Sequence, residues 1–183
     1  HVTVFAREYS SNTGPATGSN LVIGVASSEE ILAQEIGRVG QIRKVAAAVQ
    51  SAASDADISS YQDVHFVQVK GPCLTQDRID NAKREGNSMV TESTIDSMMF
   101  SNDASALGVG LATGEVGEES LKDEIIRKDF DLYSNVSSTS AGIEKTHADV
   151  VLLGNSDKSA SRFRIGHDVM NDLIDVDGVR RAV

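Results

Sequence analysis

Residues 136–144 read Val-Ser-Ser-Thr-Ser-Ala-Gly-Ile-Glu, a run in which hydroxyl side chains are followed at once by two small residues. Ser137, Ser138, Thr139 and Ser140 offer oxygen nucleophiles, and Ala141 and Gly142 let a ligand come close to the backbone. A serine on a tight turn beside free backbone N–H groups is one way to set a nucleophile next to an oxyanion site. A polar loop leading into a strand has the same composition, so the run alone leaves both readings open.

A nucleophilic serine needs a base. The four histidines are His1, His65, His147 and His167, and none pairs with a carboxylate in a triad pattern. His65, between Val64 and Phe66, reads as a core residue of a strand. None of the four shares metal-ligand spacing with another His, Cys or carboxylate cluster, so neither metal nor cofactor is expected. Lysine is the other available base. Lys70 closes the run Val-His-Phe-Val-Gln-Val-Lys at 64–70, and active-site groups of sheet proteins collect at such strand ends. A lysine accepts a proton only when uncharged, which requires desolvation or a nearby cation. The competing reading is a lysine whose stem lies on apolar surface while its charge reaches water.

The elements that would carry these residues follow from periodicity. Residues 1–6 alternate with period two and predict a strand, and 10–20 form a Gly/Ser/Asn-rich connector. Residues 21–26 are apolar on both faces and predict a central strand. Ser27-Ser28-Glu29-Glu30 has a capping-box pattern that opens a helix at Ile31, bent near Gly37 and Gly40 and continuing to Ala53. Residues 64–70 are a second central strand, stopped by Gly71-Pro72. Thr75 caps a helix over 76–85, and Ser101-Asn102-Asp103 caps another over 104–112, whose Gly108 and Gly110 call for close packing. A charged helix over 118–128, a strand at 132–136, a buried strand at 148–154, a short strand at 162–165 and a frayed helix over 167–182 complete the pattern. The result is an α+β (α/β-like) fold, roughly a four-stranded sheet covered by helices.

Bulk properties narrow the partners. The chain has 183 residues, 40% hydrophobic and 24% charged, and 4% aromatic with no tryptophan, so aliphatic residues fill the interior. A formal charge of −10 argues against nucleic acid or an anionic membrane as partner. The lone cysteine, Cys73, excludes an internal disulfide and suits a reducing compartment such as the cytoplasm. No apolar run approaches transmembrane length. The start at His1, inside a strand-like run, suggests a piece of something longer.

Three segments together, Asp-Val-His-Phe-Val-Gln-Val-Lys at 63–70, Ala-Ser-Ala-Leu-Gly-Val-Gly-Leu-Ala-Thr-Gly-Glu at 104–115, and the serine stretch at 137–144, resemble the ring-opening cyclic amide hydrolases, cyanuric acid hydrolase and barbiturase. The tail at 159–181 is similar as well. The resemblance implies three homologous units about a pseudo-threefold axis, each giving one Ser–Lys pair to a central site. On that footing residues 1–9 are the closing strand of a preceding unit, 10–20 the connector, 21–156 the middle unit, and 157–183 a linker and helix toward a third. It further implies Ser140 as nucleophile, Lys70 as its base, and Ala141 and Gly142 as backbone donors to the oxyanion. The partners implied are a small cyclic imide, the other units of the same protein, and further copies in a homo-oligomer. Two departures stand out. Cyanuric acid hydrolases carry Arg where this chain has Asn102, which makes Asn102 a candidate substrate reader and favours barbiturate. The family's Lys-Cys-Pro is here Lys70-Gly-Pro-Cys73. Other readings are a catalytically incomplete structural unit, or a different Ser–Lys amidase.

Overall fold

The computed structural model describes residues 4–8 and 18–182. The structured elements are β1 (Asn20–Glu30), α1 (Val39–Asp55), β2 (Val64–Pro72), α2 (Gln76–Arg84), α3 (Thr94–Thr113), β3 (Ser137–Gly142), β4 (His147–Ser156) and α4 (Val176–Arg181), with 3-10 turns at Tyr61–Asp63, Glu118–Ser120 and Asp123–Ile125. The four strands form one sheet in the order β1-β4-β2-β3. β4 is antiparallel to both β1 and β2, whereas β2 and β3 run parallel. The α+β architecture read from the sequence is present, including the sheet of four strands.

One face of the sheet is covered by α1 and α3. Val67 and Val69 of β2 and Ala148, Val150 and Leu152 of β4 point into this layer and meet Val45, Val49 and Ala52 of α1 and Val109 of α3. A second cluster, Ile42, Leu107, Val116 and Ile126, closes the far side of the helix pair. The helices approach closely because α3 is built of small residues. A side chain at Gly108 would meet the Ile42 carbonyl and Val45 Cβ at 2.8 Å. The tight packing expected for that glycine is present. The other face of the sheet is open, and Val25 and Phe66 are exposed on it.

Several elements differ from the expectation, each for a tertiary reason. β1 is an edge strand, not a central one. Its outer polar groups are met by side chains: Val25 N–H donates to Asp55 Oδ2 at 3.0 Å, and Arg7 donates to the Ile23 carbonyl at 3.1 Å. Ser27–Glu30 is not a helix cap but the end of β1. Ser27 donates to Asp149 Oδ1 at 2.7 Å and Ser28 Oγ accepts from Ala148 N–H at 2.9 Å, so strand partners take the hydroxyls a cap would use. The helix starts only at Val39, after Gly37. Ser101-Asn102-Asp103 lies inside α3, whose cap is Ser93, accepting from Asp96 N–H.

Residues 118–128 are turns, because Leu121 and Ile126 are buried at a spacing a continuous helix would not bring to one face. The strand placed at 132–136 is instead β3 itself, the serine stretch. Gly71-Pro72 does not end β2. The ladder to β4 stops at Lys70–Asp149, so the missing N–H of Pro72 falls where no partner remains. Residues 162–165 form no strand. The Asn155 side chain takes over the pairing, donating to the Ile165 carbonyl at 2.8 Å and accepting its N–H at 3.1 Å. Of 167–182 only Val176–Arg181 is helical. Residues 4–8 are not in a strand; 1–3 and 9 of the expected closing strand, and 10–17 of the connector, lie outside the described residues. No helix among the described residues is long and apolar enough to cross a membrane.

Candidate active site

β2 and β3 run parallel with Lys70 directly opposite Ser140. Register partners on neighbouring strands project from the same face. Val67 and Val69 are buried toward the helices, so by alternation Lys70, and with it Ser140, belongs to the open face. The structure therefore makes register partners of two residues that lie far apart in the sequence. It does so on a strand, not on the turn expected for the serine.

Lys70 Nζ donates to the Ala141 carbonyl at 3.3 Å and lies 3.4 Å from Glu144 Oε1. The Ser140 hydroxyl has no hydrogen-bond partner among the described residues, so the amine and the hydroxyl are register neighbours that are not yet bonded to each other. The Lys70 side chain is 38% exposed, enough to turn toward a ligand on the open face.

The backbone of β3 has two kinds of residue. Val67 N–H bonds the Val136 carbonyl and Cys73 N–H bonds the Gly142 carbonyl. In a parallel ladder this alternation commits the even-numbered residues of β3 to β2. Ala141 is odd-numbered, so its N–H faces the free edge of the sheet, while the N–H of Gly142 is taken up by the ladder. Of the two expected oxyanion donors, Ala141 is the one with an uncommitted N–H. Gly142 contributes space instead: the Glu144 carboxylate lies where a side chain on Gly142 would be.

The end of β2 is held from behind. Buried Gln41 of α1 donates to Ser101 Oγ at 2.8 Å, the Ser101 carbonyl at 3.0 Å and Ser105 Oγ at 3.0 Å, and accepts from Gly37 N–H at 2.8 Å. Gly71, next to Lys70, packs on the Ser101 and Ser105 hydroxyls. Ser97 Oγ accepts from Leu74 N–H at 2.9 Å. Ser101 was read as a cap residue; with Ser97 and Ser105 it instead buries polar groups that fix the chain just beyond the lysine.

Charge is concentrated at the same strand ends. Asp149, the β4 partner of Lys70, is engaged by Lys145, by His147 Nε2 at 3.1 Å and by Ser27. Burial pushes its carboxyl up, but the hydrogen bonds from Lys145 and Ser27 outweigh that and leave it below the usual carboxylate range. The Glu144 carboxyl is held low by its own backbone N–H and then by Lys70. Cys73 is a buried core residue, and that burial pushes its thiol up. No group of three or more His, Cys, Asp or Glu among the described residues could hold a metal ion.

Asn102 occupies a different place. It lines a cleft with Met99, Asp103, Ala106, Arg127, Phe130 and Thr139. Thr139 neighbours Ser140 but projects from the opposite face of β3, so Asn102 sits on the helix side of the free edge. Its Oδ1 is buried without a partner among the described residues. Glu144 and Asp149 were not singled out as site residues by sequence reasoning, although Glu144 ends the serine stretch and Asp149 is the second residue of the run at 148–154.

A half-covered sheet that presents a lysine and a serine in register at its free edge is the frame on which known proteins can be compared. The family model for the amidohydrolase ring-opening proteins matches residues 1–183. The chain belongs to this ring-opening amidohydrolase family. It is 48% identical to a cyanuric acid amidohydrolase of Bradyrhizobium diazoefficiens over 184 residues, covering all of this chain and 50% of that protein. It is 41% identical to barbiturase 2 of a Nocardioides species, covering all of this chain and 49% of that protein. A solved cyanuric acid hydrolase, described as an evolutionary innovation by structural concatenation, superposes with a TM-score of 0.88 at 44% identity, over 96% of this chain and 48% of that one. The chain thus spans about half the length of the relatives it matches.

Proposed function

We propose that the polypeptide containing this chain opens a cyclic amide or imide ring by hydrolysis, with Ser140 as nucleophile and Lys70 as base. The observation that carries the reading is the register pairing of Lys70 with Ser140 on adjacent parallel strands, at an open sheet face, in a member of this family. Uncharged Lys70 takes the Ser140 proton as Oγ bonds to a ring carbonyl carbon. The Ala141 N–H receives the developing oxyanion, and Gly142 leaves room for it. The C–N bond breaks, the ring nitrogen takes the proton back from Lys70, and water releases the acyl group from Ser140 as a linear ureido acid.

The reading extends to organisation. Residues 21–156 form the middle one of three units, 1–9 close the unit before it, and 157–183 lead to the next. The complete site draws on the neighbouring units, and the protein works as a cytoplasmic homo-oligomer. Barbiturate is the favoured substrate, because Asn102 cannot supply the cation expected of a cyanurate site. Cyanurate is the second reading, favoured by the 48% identity to a cyanuric acid amidohydrolase against 41% to a barbiturase.

Mass spectrometry of products from barbiturate and cyanurate incubated with the complete polypeptide tests the class. Addition of one water to a ring is the expected result, faster for barbiturate. An unchanged ring in both cases would overturn the proposal.

A further inference from the structure

Resting on that reading, we infer that Glu144 is a latch on the base: a positioning residue whose carboxylate holds Lys70 until the ring displaces it.

Among the described residues, Glu144 is the one carboxylate within ion-pair distance of Lys70, at 3.4 Å. Asp149 is the nearer candidate by register, but Lys145, His147 and Ser27 already occupy it. Of the other charged or titratable groups near this corner, Arg78 of α2 is turned to the Ile31 and Cys73 carbonyls, and Cys73 itself is buried. Glu144 also lies over Gly142, in the space a side chain there would take. It therefore stands between the base and the small-residue pair.

That is the place the reaction needs. A carbonyl attacked by Ser140 must direct its oxygen toward the Ala141 N–H, alongside Gly142. An oxyanion cannot develop against a carboxylate already lying there, because two like charges in contact repel strongly. The Glu144 side chain is 59% exposed and sits in the turn between β3 and β4, so it has solvent into which it can swing.

The test is the steady-state kinetics of the Glu144→Gln variant in the complete polypeptide. A ring that must displace the carboxylate from Lys70 binds against that ion pair, so the latch predicts that KM falls about threefold while kcat stays in place. Glu144→Ala gives the same split, and matching thermal melts show that neither variant is misfolded. An unchanged or raised KM, or loss of turnover in Glu144→Gln, would overturn the latch. The base reading is judged separately. If Lys70→Ala retains turnover, that reading falls; if it is inactive and KM in Glu144→Gln still fails to drop, only the latch does.

Discussion

The two edges of the sheet are finished in opposite ways. At β1 the outward Val25 N–H is answered by the Asp55 carboxylate and the Ile23 carbonyl by the Arg7 guanidinium, so the middle of that edge is capped. At β3 the odd-numbered residues turn their backbone groups away from the ladder, with the Ala141 carbonyl taken by Lys70, and the lysine and serine stand beside them. Exposed edges invite pairing with other chains, and here one edge is capped while the other is left open. The difference teaches that the serine stretch is polar because it is an open strand edge, and not because it is a loop.

Three perturbations sharpen this contrast. Gln41→Leu removes the support behind the open edge and strands the Gly37 N–H in the core. A stability loss of about 2 kcal/mol is expected in thermal or urea unfolding, with reduced turnover; an unaltered midpoint would show that the network is idle. Next, Asn102→Arg adds a cation at the free edge. The ratio of cyanurate to barbiturate turnover is expected to rise about tenfold, the worth of one charged hydrogen bond; a constant ratio would remove Asn102 as the discriminator.

The smallest effect belongs to the blocked edge. Asp55→Ala is expected to cost about 1 kcal/mol of stability and leave turnover intact, while promoting self-association through β1 in sedimentation or light scattering. Hydrogen bonds from Arg7 and then from the Val25 N–H hold the Asp55 carboxyl below its ordinary value of 3.8. Its contribution is therefore complete above about pH 4 and is lost as pH falls through the lowered folded value. A wild-type minus Asp55→Ala stability difference that persists down to acid pH would contradict the cap.

Much of the frame was legible in the sequence. The strand at 64–70 and the one around 148–154 are rich in β-formers, and Thr75 caps its helix as expected, because local preference and tertiary packing agree there. Elsewhere a local signal met a stronger distant partner. Ser27 and Ser28 look like a helix cap until β4 claims their hydroxyls. Ser101 looks like a cap until Gln41 reaches it from another helix. The serine stretch lacks the alternation of a strand because its edge position frees it from burying one face completely. At the site, Lys70 was singled out by its strand-end position and Ser140 was chosen among the hydroxyls through resemblance, whereas their register pairing needed the fold. Glu144 escaped notice because an acidic residue in a turn carries no signal until a lysine from another strand is brought to it.

The central claim is that Ser140 and Lys70 act as one unit. Rates of ring opening by Ser140→Ala, Lys70→Ala and the double variant, made in the complete polypeptide, test it most directly. Each single change is predicted to cost on the order of 10⁴-fold, and the double change no more than either alone. Turnover near the original rate in either single variant, or losses that multiply in the double, would contradict the account.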